Sequence, residues 1–248
     1  MITVARINVA PVKGLGLAHP DEVELTEQGV AGNRRFFLRR DERLYNGKDC
    51  GPLVRIRPEV HDGRLSLTFP DGRELAGPVE LGDPVATNFW DHRDVHGNVV
   101  LGPWAEALSA YTGKDVQLIR VDDGQTAVDV HPGTVVSRAS CGRLGDELGA
   151  DVDGRRFRML FELDGAGAHE EDEWEGARIG EAVVRFAGLV ARCAVTTQDP
   201  DTGIPTLDTL RGIRAYREQR DPKLVDFGVY FEIEQPGRVR VGDVVEPF

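Results

Sequence analysis

The sequence predicts a mainly β (α+β) protein of barrel-like architecture, and three observations carry that expectation. Short segments of alternating apolar and polar residues recur along the chain, glycine- and proline-rich turns separate them, and few stretches show helical spacing. Thr3 to Pro11 alternates from the outset. Gly29-Val30-Ala31-Gly32-Asn33 reads as a turn leading into the apolar run Phe36-Phe37-Leu38. Leu65 to Phe69, the turn Pro70-Asp71-Gly72 and Glu74-Leu75-Ala76 form a hairpin pattern.

Trp104 to Thr112 is the clearest helix: it follows Gly102-Pro103 and places Trp104, Ala107, Leu108 and Tyr111 on one face. Val116 to Arg120 reads as a strand, and Ser137 to Leu144 as a helix start with Ser137 or Ser140 as N-cap. Strands are expected at 157–163, 182–186 and 189–195, and a helix from Thr206 to Arg220, stopped near Pro222. Phe227 to Ile233, Pro236-Gly237 and Val239 to Val244 suggest a terminal hairpin. The Gly-Ala-Gly-Ala tract at 165–168 reads as a flexible loop, and His169-Glu170-Glu171-Asp172-Glu173 as a solvated acidic one.

The 248 residues are 40% hydrophobic and 29% charged, ordinary for a globular chain, with a formal net charge of −12. That charge argues against nucleic acid or an anionic membrane as partner, while leaving room for a local basic pocket. No run of about eighteen apolar residues marks a membrane span, and the N-terminus has no signal-peptide pattern. Three widely separated cysteines, Cys50, Cys141 and Cys193, form no disulfide framework and no Cys-x-x-Cys pair, which fits a reducing cytoplasm.

Cys193 is the leading candidate for chemistry. It follows Arg192, whose charge favours the nucleophilic and metal-ligating thiolate, and it opens into the polar segment Thr196-Thr197-Gln198-Asp199-Pro200-Asp201-Thr202-Gly203. A buried, inert cysteine is the plain alternative. His92 and His96, with Asp94 between them, could begin a zinc site, but turn-like surroundings and the lack of a third ligand favour an exposed loop. Cys141 reads as a buried helix cysteine.

Arg192-Cys193, followed by Thr-Thr-x-Asp-Pro-Asp-Thr-Gly, resembles the signature of MOSC domains, named for the C-terminal domain of molybdenum-cofactor sulfurase. Further similarities follow in the family's order: Arg156-Phe157-Arg158, Glu171-Asp172-Glu173-Trp174, Ile179-Gly180, Phe227-Gly228-Val229-Tyr230 and Val241-Gly242-Asp243. Pro11-Val12-Lys13-Gly14 and Gly32-Asn33-Arg34-Arg35-Phe36 are similar to the β-barrel domain that precedes MOSC domains. The resemblance implies an N-terminal β-barrel domain over 1–100 packed on a MOSC β-barrel over 101–248.

It also implies a site. Cys193 would ligate molybdenum, a soft thiolate ligand suiting that metal. Lys13 and Arg34 would hold the phosphate of the molybdenum cofactor (Mo-molybdopterin), Arg as a bidentate fork and Lys as a point charge. Arg158 and Tyr230 match cofactor contacts, and Ser137 and Ser140 fall where the family places hydroxyls near the cofactor. Arg192 and Thr196 flank the ligand. Departures stand beside these matches: Arg158-Met159-Leu160 replaces Arg-Pro-Asn, Gly14 a serine, Asn33 an aspartate, and Lys48-Asp49-Cys50 interrupts a usual Thr-x-Arg segment.

The implied function is reduction of N-hydroxylated small molecules, with electrons from a separate reductase or ferredoxin, since this sequence carries no flavin or iron–sulfur motif. The alternatives are a sulfur carrier or transferase using a Cys193 persulfide, and a non-catalytic molybdenum-cofactor-binding protein.

Overall fold

The structure, a computed structural model, describes residues 1–248. Seven strands close a barrel in the order 2–7, 161–164, 133–137, 226–235, 182–191, 176–179 and 244–247. All pairings are antiparallel except Gly133–Ser137 beside Phe161–Asp164, and a parallel pair needs a crossover between its strands. Alternation along the strands sends Val4, Ile7, Val135, Phe161 and Phe231 into one core.

A second sheet contains strands 12–13, 36–40, 43–45, 80–89, 93–101 and 117–121. Gln117–Val121 pairs with both 93–101 and 36–40, so this sheet curls back on itself as the second barrel-like unit. Its core joins Phe36, Leu38, Leu65, Trp104, Leu108 and Leu118. Strands 57–61, 64–68 and 74–78 form the meander whose second turn is Pro70-Asp71-Gly72.

Three helices complete the chain. Helix α1 (Trp104–Thr112) ends at left-handed Gly113. Helix α2 (Arg138–Leu148) is N-capped by Ser137, whose hydroxyl accepts from the Ser140 N–H. Helix α3 (Thr209–Tyr216) is capped by Asp208. It is shorter than the expected 206–220 because the Asp208 cap starts it at Thr209 and Arg217, in extended backbone, ends it. Helices α2 and α3 cover a core of Val136, Cys141, Phe157, Ile213 and Phe227.

Several expectations are corrected. Residues 157–163 are not one strand: Asp153 caps a 3₁₀ turn over Gly154–Phe157, Arg158 is left-handed at φ 53°, and the strand starts only at Phe161. The two strands expected at 182–186 and 189–195 are a single strand, Ala182–Ala191, bent at Gly188 where φ is 110° and the register shifts. The terminal hairpin does not form, because Gly237–Arg240 pairs with Glu22–Thr26 instead of with the strand before it.

The tract 165–168 is a loop, exposed except at Ala166, with Gly165 against the Met1 carbonyl, where an added Cβ would come within 2.2 Å. The acidic run is solvated only in part: Glu170 and Glu173 are exposed. Glu171 is fully buried, and its Oε1 accepts from the Ser137 N–H and the Ser140 hydroxyl, both at 3.0 Å. Finally, α1 and strand 117–121 pack with the first unit although the expected division assigns them to the second, while strand 2–7 belongs to the second unit's barrel.

Candidate functional site

The strand that carries Cys193 ends two residues before it. Arg192 donates its N–H to the Val225 carbonyl at 2.7 Å, Cys193 is extended, and a 3₁₀ turn follows over Ala194–Thr197. The turn is fixed by Thr196, whose hydroxyl bonds the Cys193 carbonyl at 3.0 Å and the Thr209 hydroxyl at 2.8 Å. Backbone order is therefore imposed around Cys193 while its thiol stays exposed and unbonded.

Cys193 opens onto a cavity of about 390 Å³ lined by both units. Six cationic side chains line it, Lys13, Arg34, Lys48, Arg156, Arg158 and Arg192, against one carboxylate, Asp129. Lys13 is buried at 7% exposure; its Nζ donates to the Ala127 carbonyl and to Asp129 Oδ1, both at 2.7 Å. Burial pushes its pKa down to about 8, with Arg34 and Arg93 adding to the effect and Asp129 opposing it. Arg34 reaches Asp129 Oδ2 at 3.4 Å, and the Trp90 indole N–H donates to Oδ1 at 3.2 Å. Burial pushes the Asp129 carboxyl up, but Lys13 and Arg34 overcome this and hold it well below the usual range.

Across the cavity, Arg158 donates to the Leu15 carbonyl at 2.7 Å, and burial lowers its pKa to about 10. Arg192 bonds the Phe157 carbonyl and the Met159 sulfur, and burial pushes its pKa down while nearby Cys193 acts against that. Arg34 and Arg158 both hold left-handed backbone, φ 51° and 53°, a conformation that non-glycine residues adopt at a cost and that concentrates at functional sites. Burial raises the Tyr230 phenol, whose hydroxyl engages no other group and whose ring packs 5.1 Å from His131.

The structure thus gathers Lys13, Arg34, Arg158, Arg192, Cys193, Thr196 and Tyr230 around one cavity. Thr196 contributes wall rather than a free hydroxyl. Ser137 and Ser140 are not among the lining residues: both are fully buried and committed to the α2 cap and to Glu171. Asp129, His131, Asn8 and Asn46 are among the polar residues of the cavity wall that escaped the sequence reading, since none stands in a local motif.

Three buried polar atoms of the wall have no partner: Arg156 Nε, Arg192 Nε and Asn8 Oδ1. Buried polar groups are ordinarily paired, so these unpaired atoms mark polar capacity in the wall. A cavity this cationic, beside an exposed thiol, fits a phosphorylated pterin that holds a soft metal.

Two β-rich units, one a closed barrel, with a cysteine beside a cationic cleft between them are the class that fold and site define. Residues 122–246 match the family model described as MOSC domain, and residues 1–99 that of the MOSC N-terminal beta barrel domain. The chain belongs to the MOSC family. It is 34% identical over 280 residues to mitochondrial amidoxime-reducing component 1 of Homo sapiens, covering 98% of this chain and 82% of that protein. Mitochondrial amidoxime reducing component 2 of Homo sapiens is 35% identical over 278 residues, with the same shares covered. Component 1 of Xenopus laevis is 33% identical over 283 residues, covering 98% and 81%.

Proposed function

We propose that this protein is a molybdenum-cofactor-dependent oxidoreductase that reduces N-hydroxylated compounds, with Cys193 Sγ as the protein ligand to the metal. The observation that carries the reading is the cavity wall itself: six cations against one carboxylate, beside an exposed thiol, in a chain of net charge −12. The names of the amidoxime-reducing relatives support the reaction class. Lys13 and Arg34 would hold the phosphate, taking over the interactions now made with Asp129. Arg156, Arg192 and Asn8 offer their free polar atoms to the pterin, and Tyr230 keeps its phenolic proton at neutral pH as a donor to the bound ligand.

When bound, the cofactor supplies the two-electron redox chemistry. In the overall reaction the substrate N–O bond breaks, two electrons and two protons are taken up, and water leaves. The electrons come from a separate redox protein. The side chains do what a fixed polar cavity does: they orient the substrate and limit its hydration.

Metal analysis of protein produced in a molybdenum-replete host, wild type beside Cys193→Ala, tests this. We expect about one molybdenum per chain, lost in the variant, and amidoxime reduction with an artificial electron donor. Because Cys193 is exposed, the variant should unfold within about 0.5 kcal/mol of wild type. Absence of molybdenum together with a persulfide on Cys193 would overturn the reading in favour of sulfur transfer. Molybdenum without turnover would identify a binding protein.

A further inference from the structure

A second groove, of about 460 Å³, abuts the Cys193 cavity and shares Leu17, Val54, Arg156, Arg158 and Val195 with it. Five arginines line this groove, Arg55, Arg57, Arg155, Arg156 and Arg158, against two carboxylates, Asp199 and Asp201. Both carboxylates are committed. Asp201 receives the fork of Arg155 at 2.8 and 2.9 Å. Asp199 Oδ1 accepts from the N–H groups of Asp201 and Thr202 and from the Thr202 hydroxyl.

Three arginines keep donors in hand. Arg55 and Arg57 are exposed and form no ion pair, and Arg158 bonds only a backbone carbonyl. Arg156 is buried at 7% exposure and engaged, bonding the Thr197 carbonyl and the Thr206 hydroxyl and pairing with Asp199 at 4.0 Å, with only its Nε lacking an acceptor. The frame is rigid. The 3₁₀ turn Gly51–Arg55 touches the 199–203 loop so closely that a Cβ on Gly203 would lie 2.0 Å from the Gly51 carbonyl, and Gln198 bonds the Gly47 carbonyl at 2.8 Å.

We propose that this groove is a subsite for a phosphoryl group on a small molecule whose other end lies in the Cys193 cavity. Guanidinium forks match phosphate oxygens in pairs, and several unneutralised forks suit a group of charge near −2 better than a single carboxylate. An acidic protein repels anions at long range, so a groove that gathers free guanidinium groups provides the local attraction that its overall charge denies. The phosphate belongs either to the substrate's far end or to a nucleotide-extended form of the cofactor. That choice rests on the function proposed above; the subsite does not.

The test is calorimetric titration of the full-length protein with inorganic pyrophosphate, which needs neither metal nor turnover. Arg55→Ala/Arg57→Ala should weaken binding at one site at least tenfold, while Lys13→Met leaves that site within twofold. Arg211→Ala/Arg214→Ala, a pair of exposed arginines on α3, controls for charge alone. No pyrophosphate binding by wild type, equal weakening in the control pair, or loss of all binding in Lys13→Met would overturn the proposal. Mass spectrometry of the extracted pterin then separates the sources. A nucleotide on it assigns the groove to the cofactor, and an unextended pterin assigns it to the substrate's phosphate.

Discussion

Replacing Lys13 with methionine should make the stability difference between variant and wild type depend on pH, moving in favour of wild type between pH 7 and pH 10.5. In the folded chain the ammonium is buried, and the gap between its ordinary pKa of 10.5 and about 8 corresponds to about 3 kcal/mol. Because the folded value is depressed, this contribution to stability is fully present above 10.5 and is lost as pH falls through 8. At pH 7 wild type therefore carries the whole penalty. Methionine keeps the aliphatic stem and removes the charge, but it leaves the Ala127 carbonyl without its donor and the Asp129 carboxylate without its nearest cation, a cost that is the same at pH 7 and pH 10.5. The stability of the variant relative to wild type should therefore fall by about 3 kcal/mol from pH 7 to pH 10.5. Urea unfolding of both proteins at half-unit steps across that range measures it. A difference that stays flat with pH would refute the reasoning, since Lys13 would then titrate as if solvated. Added inorganic phosphate should stabilise wild type more than the variant, which keeps the arginine groove but loses the Lys13 contact.

Glu171→Ala should cost about 4 kcal/mol in urea unfolding, because it strips the acceptor from two buried donors, Ser137 N–H and Ser140 Oγ, and leaves a void. A loss under 1 kcal/mol would show that Glu171 does not hold the α2 cap. Gly203→Ala should release the 199–203 loop from the Gly51 turn, since φ is 74° and the added methyl meets the Gly51 carbonyl at 2.0 Å. Hydrogen exchange at the Gly203 N–H, which bonds the Asp199 carbonyl at 2.8 Å, should accelerate at least tenfold; unchanged protection would show that the loop is held some other way.

Much of the fold was legible because its cues are local. The Pro70-Asp71-Gly72 turn, the Trp104 helix and the Ser137 cap follow from neighbouring residues alone. What was misread depends on partners far along the chain. Nothing near Gly237 says that it pairs with Leu25, and nothing in His169–Glu173 says that Glu171 is to be buried under Ser137, 34 residues earlier. Charged runs are usually solvated, and here burial was compensated by capping donors that the run itself does not contain. The site followed the same division. Cys193, Lys13, Arg34 and Arg158 stand in motifs, whereas Asp129 and Asn8 enter the cavity only through tertiary crossing.

Asn8 bears on the departure that most separates this chain from the family pattern. Leu160 occupies the place of an asparagine, is buried at 4% exposure, and packs into the barrel core, so its side chain offers the cofactor nothing polar. Asn8 lies against the same wall: its amide donates to the Met159 carbonyl at 2.8 Å and to Glu162 at 3.1 Å, and its N–H bonds the Leu160 carbonyl at 2.8 Å. Those bonds fix the side chain with its carbonyl oxygen buried and unpaired in a residue lining the cavity. Leaving such an acceptor unmade costs roughly 1–3 kcal/mol, a cost that a bound donor would relieve. An amide thus stands beside residue 160 on Asn8, just after strand 2–7, where a local motif comparison does not look for it.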